Sequence, residues 1–439
     1  MQNDGQQETY QPPKDPAVWL IYLVYFGLAV IFSYVMLLGH APDETSRHLP
    51  YVRWLAETWS LPVGDLEVEH GALELHPPLY YLLLTPVYLA AEVLKINPLR
   101  LLRWTSPFLI LASIYLWQQV IWRATGRKRA LFLFSFALTA WWPNIFVDAG
   151  ALNNDVGAIL ASALLLYLAA VYYWDDRSLK SAVVLGVIAG IAALMKASTI
   201  ATSVGMLGVM LAWQHWDRLP GDRKFWLRGF SMMGAFFAIA GWWYVRNYAL
   251  YGAFTPYPRG YSPIPEGLSR WDAISTGMVW PLALRAINGL WASVWAGMAW
   301  IPPAAGPVVY TVLRIITVAA LIGLAARIIR WRREGAADAE IQAIVLPLVG
   351  FVTLVVAAVW MSVFVHMGVY QGGRYLLIFL PGLTIPLAYG LHELYRRVPR
   401  YVLHFVTVGF FLLLSPLALY HIATYWNPTV QNAAAMSGN

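Results

Sequence analysis

Cysteine is absent from this chain of 439 residues, and charge is scarce: Asp, Glu, Lys and Arg make up 12% of it, against roughly 25% in an ordinary soluble domain. The first absence excludes disulfides, thiol nucleophiles, cysteine-ligated zinc and iron–sulfur clusters. The second excludes a soluble protein, because 59% hydrophobic residues and a mean hydropathy of +0.56 leave too little polar surface to face water on all sides. Walker A, GxSxG and HExxH motifs are missing as well, so nucleotide hydrolysis and zinc chemistry find no support. Neither an internal repeat, a low-complexity tract nor a soluble domain is visible.

What is present is a series of apolar runs. At about 20 residues per bilayer crossing, eleven spans are expected: 17–39, 101–122, 130–147, 153–173, 181–195, 198–213, 230–245, 309–329, 341–364, 375–391 and 402–422. The run from 17 is too long for a signal-peptide core and has no small-residue cleavage site, so it reads as a retained first helix. Segment 76–94 opens with His76-Pro77-Pro78 and carries Pro86; a broken helix along the outer interface is expected there. Segment 266–300 sets Trp271, Trp280, Trp291, Trp295 and Trp300 among Arg270, Asp272 and Arg285. Tryptophan prefers the headgroup level, so this segment is expected as interfacial amphipathic helices, with a re-entrant hairpin or two short crossings as the alternative.

The net charge of +7 is explained by orientation rather than by nucleic acid. Of the 30 Lys and Arg, 18 fall in the tail and short loops of one side: Lys14, the Arg123 to Arg129 cluster, Arg177 to Lys180, Arg218 to Arg228, Arg327 to Arg333, and Arg396 to Arg400. The positive-inside rule makes that side cytoplasmic. The expectation is an all-α polytopic protein of the plasma membrane with a cytoplasmic tail (1–16), a main module (17–391) with outer loops 40–100 and 246–308, and a last helix with an outer C-terminal tail (392–439).

The loop 40–100 holds eight of the 23 acidic residues. Asp43 and Glu44 follow the first span, where partial burial can tune a carboxylate toward base strength; the alternative is an acidic first turn of a helix. Behind them Tyr51, Val52, Leu55 and Ala56 alternate with Arg53 and Glu57 as an amphipathic helix, with Arg47 and His48 on its early turns, exposed or near a phosphate. Asp148 and Asn153-Asn154-Asp155 flank the next outer link, where Asn154-Asp155 could cap a helix. Lys196 interrupts a long apolar run, and a charge at membrane depth costs about 2.5–3.5 kcal/mol, so it either functions or snorkels to the headgroups. Arg246 and Arg374 stand at outer helix boundaries. They are interface anchors or bidentate phosphate ligands, and Gly372 and Gly373 would let a ligand approach the backbone. A carboxylate facing Lys196, Arg246, Arg374 and His76 suits a reaction in which a hydroxyl is deprotonated while an anionic phosphate leaves.

The order of Pro42-Asp43-Glu44, Tyr51 to Glu57, His76-Pro77-Pro78-Leu79-Tyr80-Tyr81, Asn153-Asn154-Asp155, Met195-Lys196, Trp243 to Gly252 and Gly373-Arg374-Tyr375 resembles the GT-C membrane glycosyltransferases. Related bacterial branches of that family resemble protein O-mannosyltransferases and the lipid A aminoarabinose transferase. The likeness is spread over about 17–390. It implies an inverting transfer of a sugar from a polyprenyl-phosphate donor to a glycan, lipid or protein hydroxyl on the outer face. Asp43 would then be the general base, with Glu44 supporting it. His76, Lys196, Arg246 and Arg374 would hold the donor phosphate, and Arg47, Asp148, Asn154 and Asp155 would serve the acceptor or support the site. The Trp-rich helices would cover the lipid groove. Two departures stand out: the extra outer domain of some relatives is not seen, and Glu74 is one residue out of register with the acidic-basic-Pro-Pro pattern of the aminoarabinose branch. No cofactor is expected; where some of these enzymes use a divalent cation, Asp43, Glu44, Asp148 and Asp155 could supply oxygen ligands. A transporter or flippase would place charges near the midplane on broken, repeated helices. A non-catalytic subunit of a larger assembly could retain the same residues.

Overall fold

A computed structural model describes residues 15–41, 43–64, 76–216, 221–256, 263–264, 268–296, 306–335, 338–365, 372–395 and 400–427. Pro42, Asp65, Glu67, Glu69, Glu74, Arg218, Trp300 and Arg396 lie outside the described residues, as do both chain ends. The described residues are helical with no strand among them, which makes the chain an all-α polytopic membrane fold. Helix α1 (Pro16–Val35) is capped by Asp15, whose carboxylate accepts from Ala17 N at 3.0 Å. Its apolar surface faces outward at Trp19, Leu20 and Leu23, as lipid-facing residues must.

The loop after α1 returns over the bundle. Glu44–His48 forms one π-helical turn that runs into α2 (Leu49–Thr58). Tyr51, Val52, Leu55 and Ala56 are buried and Arg53 and Glu57 exposed, the amphipathic pattern of the sequence. Segment 79–94 is continuous as α3 (Leu79–Leu94), with Pro86 inside it, where a broken helix was expected. Pro86 cannot donate to the Leu82 carbonyl, so the helix continues past it without that hydrogen bond.

Helices α4 (Pro98–Arg103) and α5 (Thr105–Ala124) lead to the opposite end of the bundle. The expected span 130–147 divides into α6 (Arg129–Ala140) and α7 (Pro143–Ala149), bent by 47° because Pro143 cannot continue the hydrogen-bond ladder. Helix α8 (Asn154–Tyr167) is capped by Asn153, whose Oδ1 accepts from Val156 N, rather than by Asn154 or Asp155. There follow α9 (Leu179–Met195), α10 (Thr199–Gln214), α11 (Arg223–Phe236) and, after a π-helical turn, α12 (Trp242–Tyr251).

In segment 266–300 the described residues form α13 (Arg270–Ser275) and α14 (Val279–Ala296). Trp271 and Trp280 are exposed, yet the end of α14 is a packing partner: Asn144 Nδ2 donates to Ser293 O at 2.6 Å, and Trp142 stacks on Trp295 at 4.6 Å. Helices α15 (Gly306–Glu334) and α16 (Asp338–Phe364) are the longest. The expected span 375–391 is a 3-10 turn at Gly373–Phe379 followed by α17 (Pro381–Leu394), bent by 81°. A Cβ on Gly390 would stand 1.9 Å from Ala320 O and one on Gly323 1.9 Å from Gly390 O, so α15 and α17 cross at backbone contact that only glycine permits. Helix α18 (Arg400–His421) closes the chain.

Among the described residues, five helices are long and apolar enough to cross a membrane, or seven if each bent pair is one span. The count of eleven is not reached on that measure, because α9 and α10 are short, α5 with Gln118 and Gln119 is not apolar enough, two spans are bent, and the 223–251 stretch is divided by a π-helical turn.

Candidate active site

Asp43 sits between α1 and α2 with φ 61° and ψ 3°. This left-handed backbone costs a side chain roughly 1–2 kcal/mol, although Asp tolerates it better than most. Its side chain makes no capping hydrogen bond, so the helix-cap alternative does not describe it. Instead the carboxylate, 28% exposed, accepts from Arg374 Nη2 at 3.2 Å and faces Arg47 Nε at 3.8 Å. Burial pushes the Asp43 pKa up, but Arg374 and Arg47 outweigh it and hold the group below the ordinary carboxylate range.

Arg374 is brought there by the 3-10 turn, and the reason Gly373 precedes it differs from the sequence reading. A Cβ on Gly373 would lie 2.2 Å from Val294 N, and Gly373 N donates to Ser293 Oγ at 2.9 Å. The close approach is taken by α14, not left for a ligand. The guanidinium bridges two carboxylates: Nη2 on Asp43 and Nε at 3.8 Å from Asp155 Oδ2. Asp155, in the first turn of α8, is also paired with Lys196, which caps the C-terminus of α9 and lies 4.4 Å from the Tyr375 ring centroid. Lys196 therefore points into the bundle end rather than snorkelling away. Asp148 joins through Asn153, whose Nδ2 donates to its Oδ1 at 3.4 Å.

His76 completes the cluster from the other wall. Its Nδ1 lies 3.4 Å from Asn154 Nδ2, and its Nε2 is buried without a hydrogen-bond partner among the described residues. His48 stands beside it, ring centroids 5.7 Å apart, with Nδ1 2.9 Å from the Tyr81 hydroxyl; Tyr81 stacks on Tyr51 at 4.1 Å. Burial pushes both histidines down, His76 to about 3, and the cations Arg47 and Lys196 add to it. Both are neutral at pH 7. An unfolded histidine titrates near 6.5, so between about 6.5 and 3 the unfolded chain binds protons the folded loop refuses, and stability rises with pH there. Thermal stability in detergent is expected to fall as the pH drops below about 6.5, by up to roughly 1.4 kcal/mol per pH unit for each histidine. The combined His48→Gln and His76→Gln chain should show a flatter profile; an unchanged slope would place the acid sensitivity elsewhere.

Two residues expected here are placed elsewhere. Arg246 donates to Pro62 O at 2.8 Å and to Asn247 Oδ1, and covers the Trp243 ring; none of these belongs to the cluster. Glu44 is fully buried and its carboxylate is saturated. Oε1 accepts from Arg103 Nε at 2.9 Å and Leu152 N at 3.0 Å, and Oε2 from Arg103 Nη2 at 2.6 Å and Gly39 N at 2.9 Å. Four acceptor positions are all a carboxylate has, so none is left for a substrate. Arg103, which sequence reasoning passed over, also donates to Ser33 O, Met36 O and Leu37 O. It could have been found by the signal that marked Arg374, an arginine on the side poor in them.

Among the described residues no three Asp, Glu or His side chains converge as a metal site would require. The space between Asp43 and Asp155 is occupied by Arg374, and Lys196 takes the other Asp155 oxygen.

No family model matches the chain, and no curated protein matches it in sequence. Solved structures do. ArnT from Cupriavidus metallidurans bound to undecaprenyl phosphate superposes with a TM-score of 0.50 at 14% identity, over 94% of this chain and 75% of that one. The archaeal oligosaccharyltransferase AglB from Archaeoglobus fulgidus, in complex with an inhibitory peptide and a dolichol-phosphate, gives 0.45 at 12% identity, over 92% of this chain and 55% of that one. The likeness to ArnT shows the fold, which is the GT-C fold.

Proposed function

We propose that the chain is a membrane glycosyltransferase that moves a sugar from a polyprenyl-phosphate donor to an acceptor hydroxyl, at a site on the extracytoplasmic face, with the N-terminus cytoplasmic. The observation that carries this reading is Arg374: 15% exposed, among the described residues it makes one hydrogen bond, to Asp43, while its buried Nε has no hydrogen-bonded acceptor. A buried guanidinium with unused donors is a poor structural group and a good ligand for a planar oxyanion. That the similar ArnT structure holds undecaprenyl phosphate is consistent with it.

In this reading Asp43 takes the proton of the acceptor hydroxyl as its oxygen attacks the anomeric carbon from the face opposite the phosphate. The carbon–oxygen bond to the phosphate breaks, and the electron pair leaves with the phosphate oxygen. A single displacement of this kind inverts the anomeric centre. The donor is a diester with one negative charge and the product a monoester with nearly two, so charge develops on the leaving group. Arg374 and Lys196 oppose that charge, which lowers the barrier because they are already in place. His76 Nε2, buried and without a partner among the described residues, would meet the donor, and Asp155 and Asn154 would hold Lys196 and His76 in position.

The test is sugar transfer in proteoliposomes from labelled polyprenyl-phosphate sugars to a panel of hydroxyl acceptors. Because side-chain cations fill the space beside the carboxylates, EDTA is expected to leave the rate within about twofold, whereas a metal-dependent site of this type would lose several kcal/mol of charge stabilisation. Absence of transfer with every donor, or flux of the lipid without transfer, would overturn the proposal.

A further inference from the structure

Two grooves on the flank formed by α1, α3, α4 and α5 take no part in the proposed reaction. The larger, about 420 Å³, has Pro86, Val87 and Ala90 of α3 on one wall and Leu101, Trp104 and Phe108 on the other. Its walls are apolar. The smaller, about 220 Å³, shares Trp104 with the first and is lined also by Tyr34, Arg100 and Arg103. An apolar slot therefore leads, past one indole, to a pair of arginines.

The groups at the junction have the character of a membrane interface. Trp104 and Tyr34 are 45% and 61% exposed and meet edge to face at 6.0 Å, and such amphipathic rings gather at the headgroup level. Arg103 is fully used by Glu44 and the end of α1. Arg100 is not: its side chain is exposed, and no described residue accepts a hydrogen bond from its guanidinium or pairs with it. A free guanidinium beside an interfacial tryptophan, at the mouth of an apolar slot, matches a phosphate on an acyl chain. The cations of the proposed donor site, Arg374 and Lys196, line neither groove.

We infer that this flank is a binding site for an anionic glycerophospholipid, with an acyl chain between α3 and α5 and the headgroup phosphate on Arg100. The site is separate from the sugar-transfer reading and is tested without it. Charge complementarity selects the occupant: the slot accepts the tail of any bilayer lipid, but only an anionic head adds net attraction to the arginine. Bound there, the lipid braces α4 and through it Arg103, the residue that ties the loop carrying Asp43 to the end of α1.

Native mass spectrometry of the full chain in detergent, titrated with phosphatidylglycerol or phosphatidylcholine of identical acyl chains, reads this directly. Phosphatidylglycerol is expected to bind about five- to tenfold more tightly, the attraction of one basic residue near an anionic surface. Arg100→Gln should abolish the preference while leaving the weaker binding of phosphatidylcholine. Ala90→Phe, at an exposed position where added bulk is tolerated, should weaken both lipids by filling the slot. Equal binding of the two lipids by the wild-type chain, or a preference that survives Arg100→Gln, would overturn the inference. So would undecaprenyl phosphate displacing phosphatidylglycerol from the wild-type chain but not from Ala90→Phe, since the groove would then belong to the donor's chain.

Discussion

Asp43→Asn is expected to lower sugar transfer by about 10²–10⁴-fold, the usual worth of a positioned general base, and to leave the protein folded. Two features of the structure make the substitution clean. Asparagine tolerates the left-handed backbone that Asp43 adopts at φ 61°, and Arg374 keeps Asp155 as a counter-charge, its Nε 3.8 Å from Asp155 Oδ2, when Asp43 is neutralised. The loss should therefore fall on kcat, with the KM for the donor little changed. Wild-type turnover by a folded Asp43→Asn chain would remove Asp43 from the reaction. The pH dependence adds a second reading. A base whose pKa is depressed is ionised throughout the neutral range, so the acid limb of kcat/KM for the free enzyme should lie below the ordinary carboxylate value of about 3.9. Removing the guanidinium with Arg374→Ala leaves burial as the largest influence on Asp43 and should move that limb upward, while also slowing transfer. A limb that stays in place would separate Arg374 from the titrating group.

Glu44→Ala is expected to destabilise the fold by about 3–5 kcal/mol, because it leaves the guanidinium of Arg103 buried without its counter-charge. Arg103 is 1% exposed, so solvent does not readily take the place of the carboxylate. Arg103→Ala should be comparably costly for the mirror reason: Glu44 keeps Gly39 N and Leu152 N but loses the one cation paired with it among the described residues. Changing both residues to Met should recover part of the loss, since two apolar groups leave no orphaned charge. Thermal unfolding of the two single variants and the double variant in detergent measures this. A double variant as unstable as the sum of the singles would show that the two residues act independently. Activity should fall with the single changes as well, because Glu44 joins the loop that carries Asp43 to the entry of α8 at Leu152. Its contribution to the site is that of a positioning residue.

The fold class and the list of polar residues worth attention were legible in the sequence because a bilayer makes unusual charge conspicuous. Lys196, Arg374, Asp155 and Asp43 stood out as charges at apolar boundaries, and the structure links these four as a chain of ion pairs, Lys196 to Asp155 to Arg374 to Asp43. The amphipathic α2 was equally legible, since burial of Tyr51, Val52, Leu55 and Ala56 follows directly from a 3.6-residue period.

Other features depended on contacts between segments far apart in the chain. Glu44 and Asp43 are adjacent and chemically alike, and only packing separates them: one meets Arg103 in the interior, and the other is turned by a left-handed backbone toward Arg374, 331 residues away. Gly373 read as room for a ligand and proved to be room for α14. Arg246 read as a phosphate ligand and instead holds the carbonyl of Pro62. The bends of 47° and 81° in two spans were likewise not legible, because Pro143 and Pro381 mark where a helix can break but carry no angle. Composition and hydropathy thus determined that the chain lies in a membrane and that its chemistry rests on a few charges. Which charge faces which was decided by the folded structure, because an ion pair depends on where distant side chains meet and the local pattern of residues carries no record of that.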